Sequence, residues 1–179
     1  QAAKDATSAN DKIDKLQVGG RNLFLNSGDL SKASWGASAS GTYAIANEKD
    51  NDVPSKNVRK LTWSVAPTNG VYLTGTNYYN AGIKKGDTVT VSIWCKCSSN
   101  KTVNKMNVEF LSVKSSTLPN LSTNWQRFII TGTANKDVIK SNGAIAITFY
   151  FGSAIAAGDS LYFSSPKVEL GNKATDWSP

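Results

Sequence analysis

Apolar residues fall at every second position in a series of short runs, and that spacing dictates β-strands rather than helices. In "DTVTVSIWCKC" it puts Val89, Val91, Ile93, Cys95 and Cys97 on one face, with Thr90, Ser92, Trp94 and Lys96 on the other. "RKLTWSV" aligns Leu61, Trp63 and Val65, and "AIAITFYFG" aligns Ile145, Ile147, Phe149 and Phe151 against Thr148 and Tyr150. "NKMNVEFL", "QRFIITGTA" and "SLYFSSPKVEL" alternate less cleanly, and "RNLFLN" and "VYLTGTN" complete the set. Turn-forming stretches such as "NAGIKKGD", "SSNKT", "TLPNLSTN" and "AIAAGD" separate the runs. The expected fold class is all-β: a jelly-roll β-sandwich of about eight to ten antiparallel strands. The chain has 179 residues, 40% of them hydrophobic, enough for one domain with its own core. Nothing helical longer than a turn is expected after residue 20.

The front of the chain has a different period. Ala2, Ala6, Ala9, Ile13 and Leu16 form an a/d seam, closed by Gly19 and Gly20. Two heptads with alanine at half the core positions do not hold together alone. Residues 1–18 are therefore expected to be the C-terminal end of a longer coiled-coil helix, a stalk for a β-domain over 19–179. The alternatives are a terminal helix packed on the domain and no helix at all. Alanine-rich seams do not fix the strand number.

The residue inventory excludes several functions. The chain contains no His, which removes Ser-His-Asp and Cys-His catalysis and most zinc sites. Cys95 and Cys97 point to one face of a strand and are expected as small buried hydrophobes, with no further ligands to make a metal pair. No run approaches the roughly 18 apolar residues of a membrane span, so no membrane partner is expected. Twenty Lys and Arg against 13 Asp and Glu give a net charge of +7. These charges are scattered rather than striped, which argues against nucleic acid and leaves an anionic glycan as one simple partner. Among the carboxylates, Asp87 sits in a turn and Glu109 and Glu169 alternate outward. No motif presents the facing pair that a glycosidase needs, so no catalytic residue and no cofactor are expected.

"GGRNLFLNSGDLSKASW", "RKLTWSV", "IKKGDTVTVSIWCK", "STNWQRFIITGT", "IAITFYF" and the closing "SPKVELGNKATDWSP" together resemble a known module. It is the jelly-roll carbohydrate-binding module found in tail-fibre, baseplate and receptor-binding proteins of phages that infect Gram-positive bacteria, related to the accessory modules of xylanases and glucanases. The resemblance covers residues 20–179, and the two ends carry its most specific motifs. It implies a non-enzymatic module of the virion tail tip that adheres to host cell-surface polysaccharide, beside other modules of the same tail protein, as a homotrimer joined through the N-terminal helix. It also implies that Trp177 and Pro179 cap the sandwich. The enzyme-borne relatives often carry an acidic pair and a structural calcium before the last strand. This chain has Ser164 and Ser165 there, and no metal is expected.

A sugar site needs an aromatic platform with a few hydrogen-bonding groups. Trp94 and Tyr150 point away from their strands' apolar faces. Under the resemblance their two strands share a sheet, which would put both rings on its outer surface beside Lys96, Thr148 and Thr62. The alternatives are burial of Trp94 beneath a loop and an ordinary surface role for Tyr150. Trp35 and Tyr72 are candidates for a second site near the loops. Arg59 and Arg127 are candidates for a glycan carboxylate or phosphate, or for surface ion pairs. Trp63 and Trp125 are expected in the core. The competing function is a structural module that decorates the fibre and binds protein.

Overall fold

A computed structural model describes residues 20–32, 35–37, 41–66, 71–75, 82–112, 120–138, 145–151 and 155–179. The expected stalk over 1–18 lies outside them. Of residues 35–37, 71–75 and most of 145–151 only the backbone is described.

The described residues hold ten strands: β1 (Trp35–Ala37), β2 (Thr42–Lys49), β3 (Asn57–Val65), β4 (Val71–Gly75), β5 (Thr88–Cys97), β6 (Val103–Val108), β7 (Leu111–Ser112), β8 (Gln126–Ala134), β9 (Ile145–Phe151) and β10 (Ser160–Leu170). All pairings are antiparallel. Six strands form one sheet in the order β2-β3-β10-β5-β8-β7, and four form another in the order β1-β4-β9-β6. No helix among the described residues is long and apolar enough to cross a membrane.

Alternation fixes the faces. Val89, Val91, Ile93, Cys95 and Cys97 of β5 are buried, as are Leu61 and Trp63 of β3 and Ile147 and Phe149 of β9. Both cysteines are free thiols in this core. Burial pushes the Cys95 thiol well up, as expected for a packing group rather than a nucleophile. Three rings join the sheets. Phe149 of the four-stranded sheet meets Phe128 edge-on at 5.4 Å and Phe163 at 6.0 Å, both from the six-stranded sheet.

Two expectations change. "RNLFLN" is not a strand but a turn-rich segment, with Asn26 at φ 58°. Asn22 shapes it: its Oδ1 accepts from the backbone N–H groups of Phe24 (3.0 Å) and Val168 (3.1 Å), beside a single backbone bond from Leu23 N to the Val168 carbonyl at 2.7 Å. Conversely "TYAIANEK" forms the eight-residue edge strand β2. All but Tyr43 are exposed there, which explains why no apolar alternation marks it.

The closing phrase also has a physical account. β10 carries an irregularity in its pairing with β5 between Ser164 and Lys167. Ser165 there has φ 49°, and Pro166, which has no N–H to donate, sits inside it. The chain after Leu170 then folds back over the outer face of the same sheet. Lys167 and Glu169, each 1% exposed at the side chain, hold it there. Lys167 Nζ donates to Thr175 Oγ1 at 2.6 Å and to the Asp176 carbonyl at 2.7 Å. Glu169 accepts from Thr175 N at 2.9 Å and Thr175 Oγ1 at 2.6 Å. Glu169 faces away from the core, as its alternation implied, and the tail covers it. Trp177 and Pro179 pack against Gly28, and Asn22 Nδ2 donates to the Ser178 carbonyl at 2.8 Å. The tail therefore closes onto the start of the domain.

Candidate functional site

The outer face of the six-stranded sheet, away from Phe128 and Phe163, carries aromatic, charged and hydroxyl side chains together. Its register builds rows across the strands. Ala44, Thr62 and Ser160 form one row. Ala46, Lys60, Tyr162 and Lys96 form the next, and Glu48, Val58, Ser164, Trp94 and Arg127 the third. Lys167, Ser92 and Ile129 follow, then Glu169, Thr90 and Thr131.

Two segments cover part of this face. The turn after β2 lies over the third row: Val53, Val58 and Ser164 are buried, and Ser55 bonds the hydroxyls of Ser164 and Ser165, both at 3.0 Å. The C-terminal tail lies over Lys167, Ser92, Glu169 and Thr90, which are buried, while Ile129 and Thr131 stay exposed; in the first two rows Thr62, Lys60, Tyr162 and Lys96 are partly exposed.

In the accessible part, Trp125 and Tyr162 stand nearly perpendicular (76°), with ring centres 6.5 Å apart. Lys96 Nζ sits in the angle between them, 4.6 Å from the indole and 5.3 Å from the phenol ring, and Lys60 Nζ lies 5.3 Å from the same phenol. Asp50 ties the corner together. Its Oδ2 accepts from Lys96 Nζ and from Trp125 Nε1, each at 2.8 Å. The Lys96 hydrogen bond, the Asp52 N–H and the Trp125 N–H hold the Asp50 carboxyl down at about 2. Glu48 accepts from Lys60 at 3.0 Å, and that bond is the leading cause of a raised Lys60 pKa. Thr62 and Ser160 share a hydroxyl contact at 2.9 Å. The corner thus combines ring surface, two ammonium donors, two carboxylate acceptors and hydroxyls.

The structure sorts the residues singled out from sequence. Trp94, Lys96 and Thr62 do share this face, with Trp94 half-buried in the third row. Arg59 does not: it lies on the core side of β3 with Leu61 and Trp63, donates to Asn47 Oδ1 at 2.8 Å, and burial lowers its pKa. Tyr150 and Thr148 lie on β9, Tyr72 on β4 and Trp35 on β1, all in the other sheet. Their side chains are outside the described part, although the register sets Tyr72 opposite Thr148. The expectation that Trp94 and Tyr150 share a sheet is overturned, because β5 pairs with β8 and β10 while β9 pairs with β4 and β6.

Of the corner, Trp125, Tyr162, Asp50, Lys60 and Glu48 were not singled out from sequence as site residues. Trp125, expected in the core, shares the parity of the outward Arg127, and Tyr162 lies between the buried Leu161 and Phe163. Both signals were present in the alternation. Among the described residues, no group of three or more Cys, Asp or Glu is placed to hold a metal ion. Asp50, held ionised by its partners, is a poor general acid near neutral pH.

No protein-family model matches the sequence, and no curated protein matches it. Solved structures do. The tandem CBM22-1-CBM22-2 domain of Paenibacillus barcinonensis Xyn10C is 14% identical with a TM-score of 0.55, over 89% of this chain and 48% of that one. The CBM22-1 xylan-binding domain of the same protein is 14% identical with a TM-score of 0.50, over 78% of this chain and 87% of that one. The enzymatically active domain of bacteriophage CBA120 tailspike protein 4 is 12% identical with a TM-score of 0.53, over 83% of this chain but only 21% of that one. At such identities the likeness shows the fold alone, and the fold is shared with carbohydrate-binding modules.

Proposed function

We propose that this chain is a non-catalytic glycan-binding module, its two sheets forming the layers of a jelly-roll sandwich. Its place is the tail tip or baseplate of a phage, where it attaches the virion to host cell-wall polysaccharide. The observation that carries this reading is the open corner of Trp125 and Tyr162, with donors and acceptors paired around it. A sugar offers C–H faces to the rings and hydroxyls to Lys60, Lys96, Asp50 and Glu48. The fold shared with a xylan-binding domain supports the same reading.

Such a shallow site binds on the millimolar scale, about −4 kcal/mol. A homotrimer formed through residues 1–18, beside other modules of the same tail protein, supplies the missing strength, since linked sites gain roughly 10²–10⁴ in avidity.

The test is binding of the fluorescently tagged chain to Gram-positive cells and to purified wall polysaccharides. Trp125→Ala with Tyr162→Ala is expected to abolish staining with the fold intact, and Trp94→Ala to weaken it. Undiminished staining by the double variant removes the corner from the site. Copurification with tail proteins and no glycan binding would establish a protein clamp instead.

A further inference from the structure

The outer face carries four basic side chains near or beneath the corner, and three have an acid of their own. Lys60 pairs with Glu48 at 3.0 Å, Lys96 with Asp50 at 2.8 Å, and Lys167 with Glu169 at 3.5 Å. Arg127 is the exception: among the described residues no carboxylate comes within ion-pair distance of it. Its Nη2 donates to Ser92 Oγ at 3.0 Å and to the Thr175 carbonyl of the tail. Its Nε is sealed from solvent with no acceptor. Register sets Arg127 directly opposite Trp94, so the two side chains are cross-strand neighbours, with Cβ atoms about 5 Å apart.

Granting the glycan reading above, we propose that Arg127 recognises an acidic substituent, carboxylate or phosphate, on a glycan whose ring rests beside Trp94. Nη2 spends both of its N–H groups on Ser92 and the tail and Nε is sealed, so the guanidinium offers a ligand its uncompensated charge and the N–H groups of Nη1. The two bonds from Nη2 anchor the guanidinium plane, so Nη1 is oriented before ligand arrives. The lysines of the corner cannot take this role as well, because their charge is already balanced. The chain's net charge of +7 therefore understates how local the selection is.

The experiment uses the full chain on two immobilised Gram-positive wall polymers. A phosphate-bearing polymer is tested before and after hydrofluoric acid treatment, and a uronic-acid polymer before and after carboxyl reduction. Wild type is expected to lose at least about tenfold in affinity when the acidic group of its preferred polymer is removed, and the arm that responds names the source. Arg127→Gln is expected to lose the same factor on the native polymer and nothing further on the stripped one. Arg127→Lys should fall between, keeping charge without the anchored, oriented Nη1. Indifference of wild type to stripping overturns the proposal. So does an equal loss by Arg127→Gln on native and stripped polymers, which would mark a role through the tail alone. Failure of wild type to bind any polymer in either form defeats the glycan reading itself, and this assignment with it.

Discussion

Removing the Glu169 carboxylate tests what holds the C-terminal tail. In Glu169→Ala the Lys167 ammonium, 1% exposed, keeps only Thr175 Oγ1 and the Asp176 carbonyl as partners, with no countercharge. Breaking one side of a buried pair costs about 3–5 kcal/mol, because the surviving charge stays desolvated. For a domain of this size each kcal/mol moves Tm by roughly 2–4 °C, so the variant should melt about 6–20 °C lower. Urea unfolding supplies the free energy directly. Hydrogen exchange at the Thr175 amide, which donates to Glu169 at 2.9 Å, reports on the tail itself and should lose protection. The double variant Lys167→Met, Glu169→Leu should recover most of the loss, since replacing both charges removes the desolvation cost. A loss below about 1 kcal/mol in Glu169→Ala, or a double variant as unstable as the sum of the singles, would refute a buried charge pair as the tail's anchor.

Asp50, depressed to about 2 from an ordinary value near 3.8, contributes stability that is fully present above about pH 4 and lost as pH falls through about 2. The stability gap between wild type and Asp50→Asn should therefore close across that window, as followed by urea midpoints at successive pH values. Phe149→Ala removes the ring that meets both Phe128 and Phe163, and should cost about 3–5 kcal/mol in equilibrium unfolding. Asn22→Ala strands the Val168 amide and the carbonyls of Pro166 and Ser178, and should cost about 2 kcal/mol or more by the same measurement.

Much of the corner was legible in the alternation of side chains. Lys96 and Thr62 were placed outward from their strands and are there, and the same parity rule applied to "NWQRF" and "SLYF" points Trp125 and Tyr162 outward too. Arg59 fails by that rule, since it shares parity with the buried Leu61 and Trp63. Parity says nothing about neighbours, however. Trp94 and Tyr150 each alternate away from an apolar row, yet they belong to different sheets. Nor does parity say whether a face is covered: Lys167 and Glu169 stand on the outer face and are buried all the same.

By itself the sequence determined the all-β class, most of the strands and which side chains of each turn inward, because pleating alternates side chains within a few residues of backbone. Tertiary structure alone decided which strands pair, that the turn after β2 and the tail close over part of the outer face, and that Asp50 reaches across to Lys96 and Trp125. Those contacts join residues 46 to 75 positions apart. Their geometry comes from the packing of the whole domain, which no local pattern encodes.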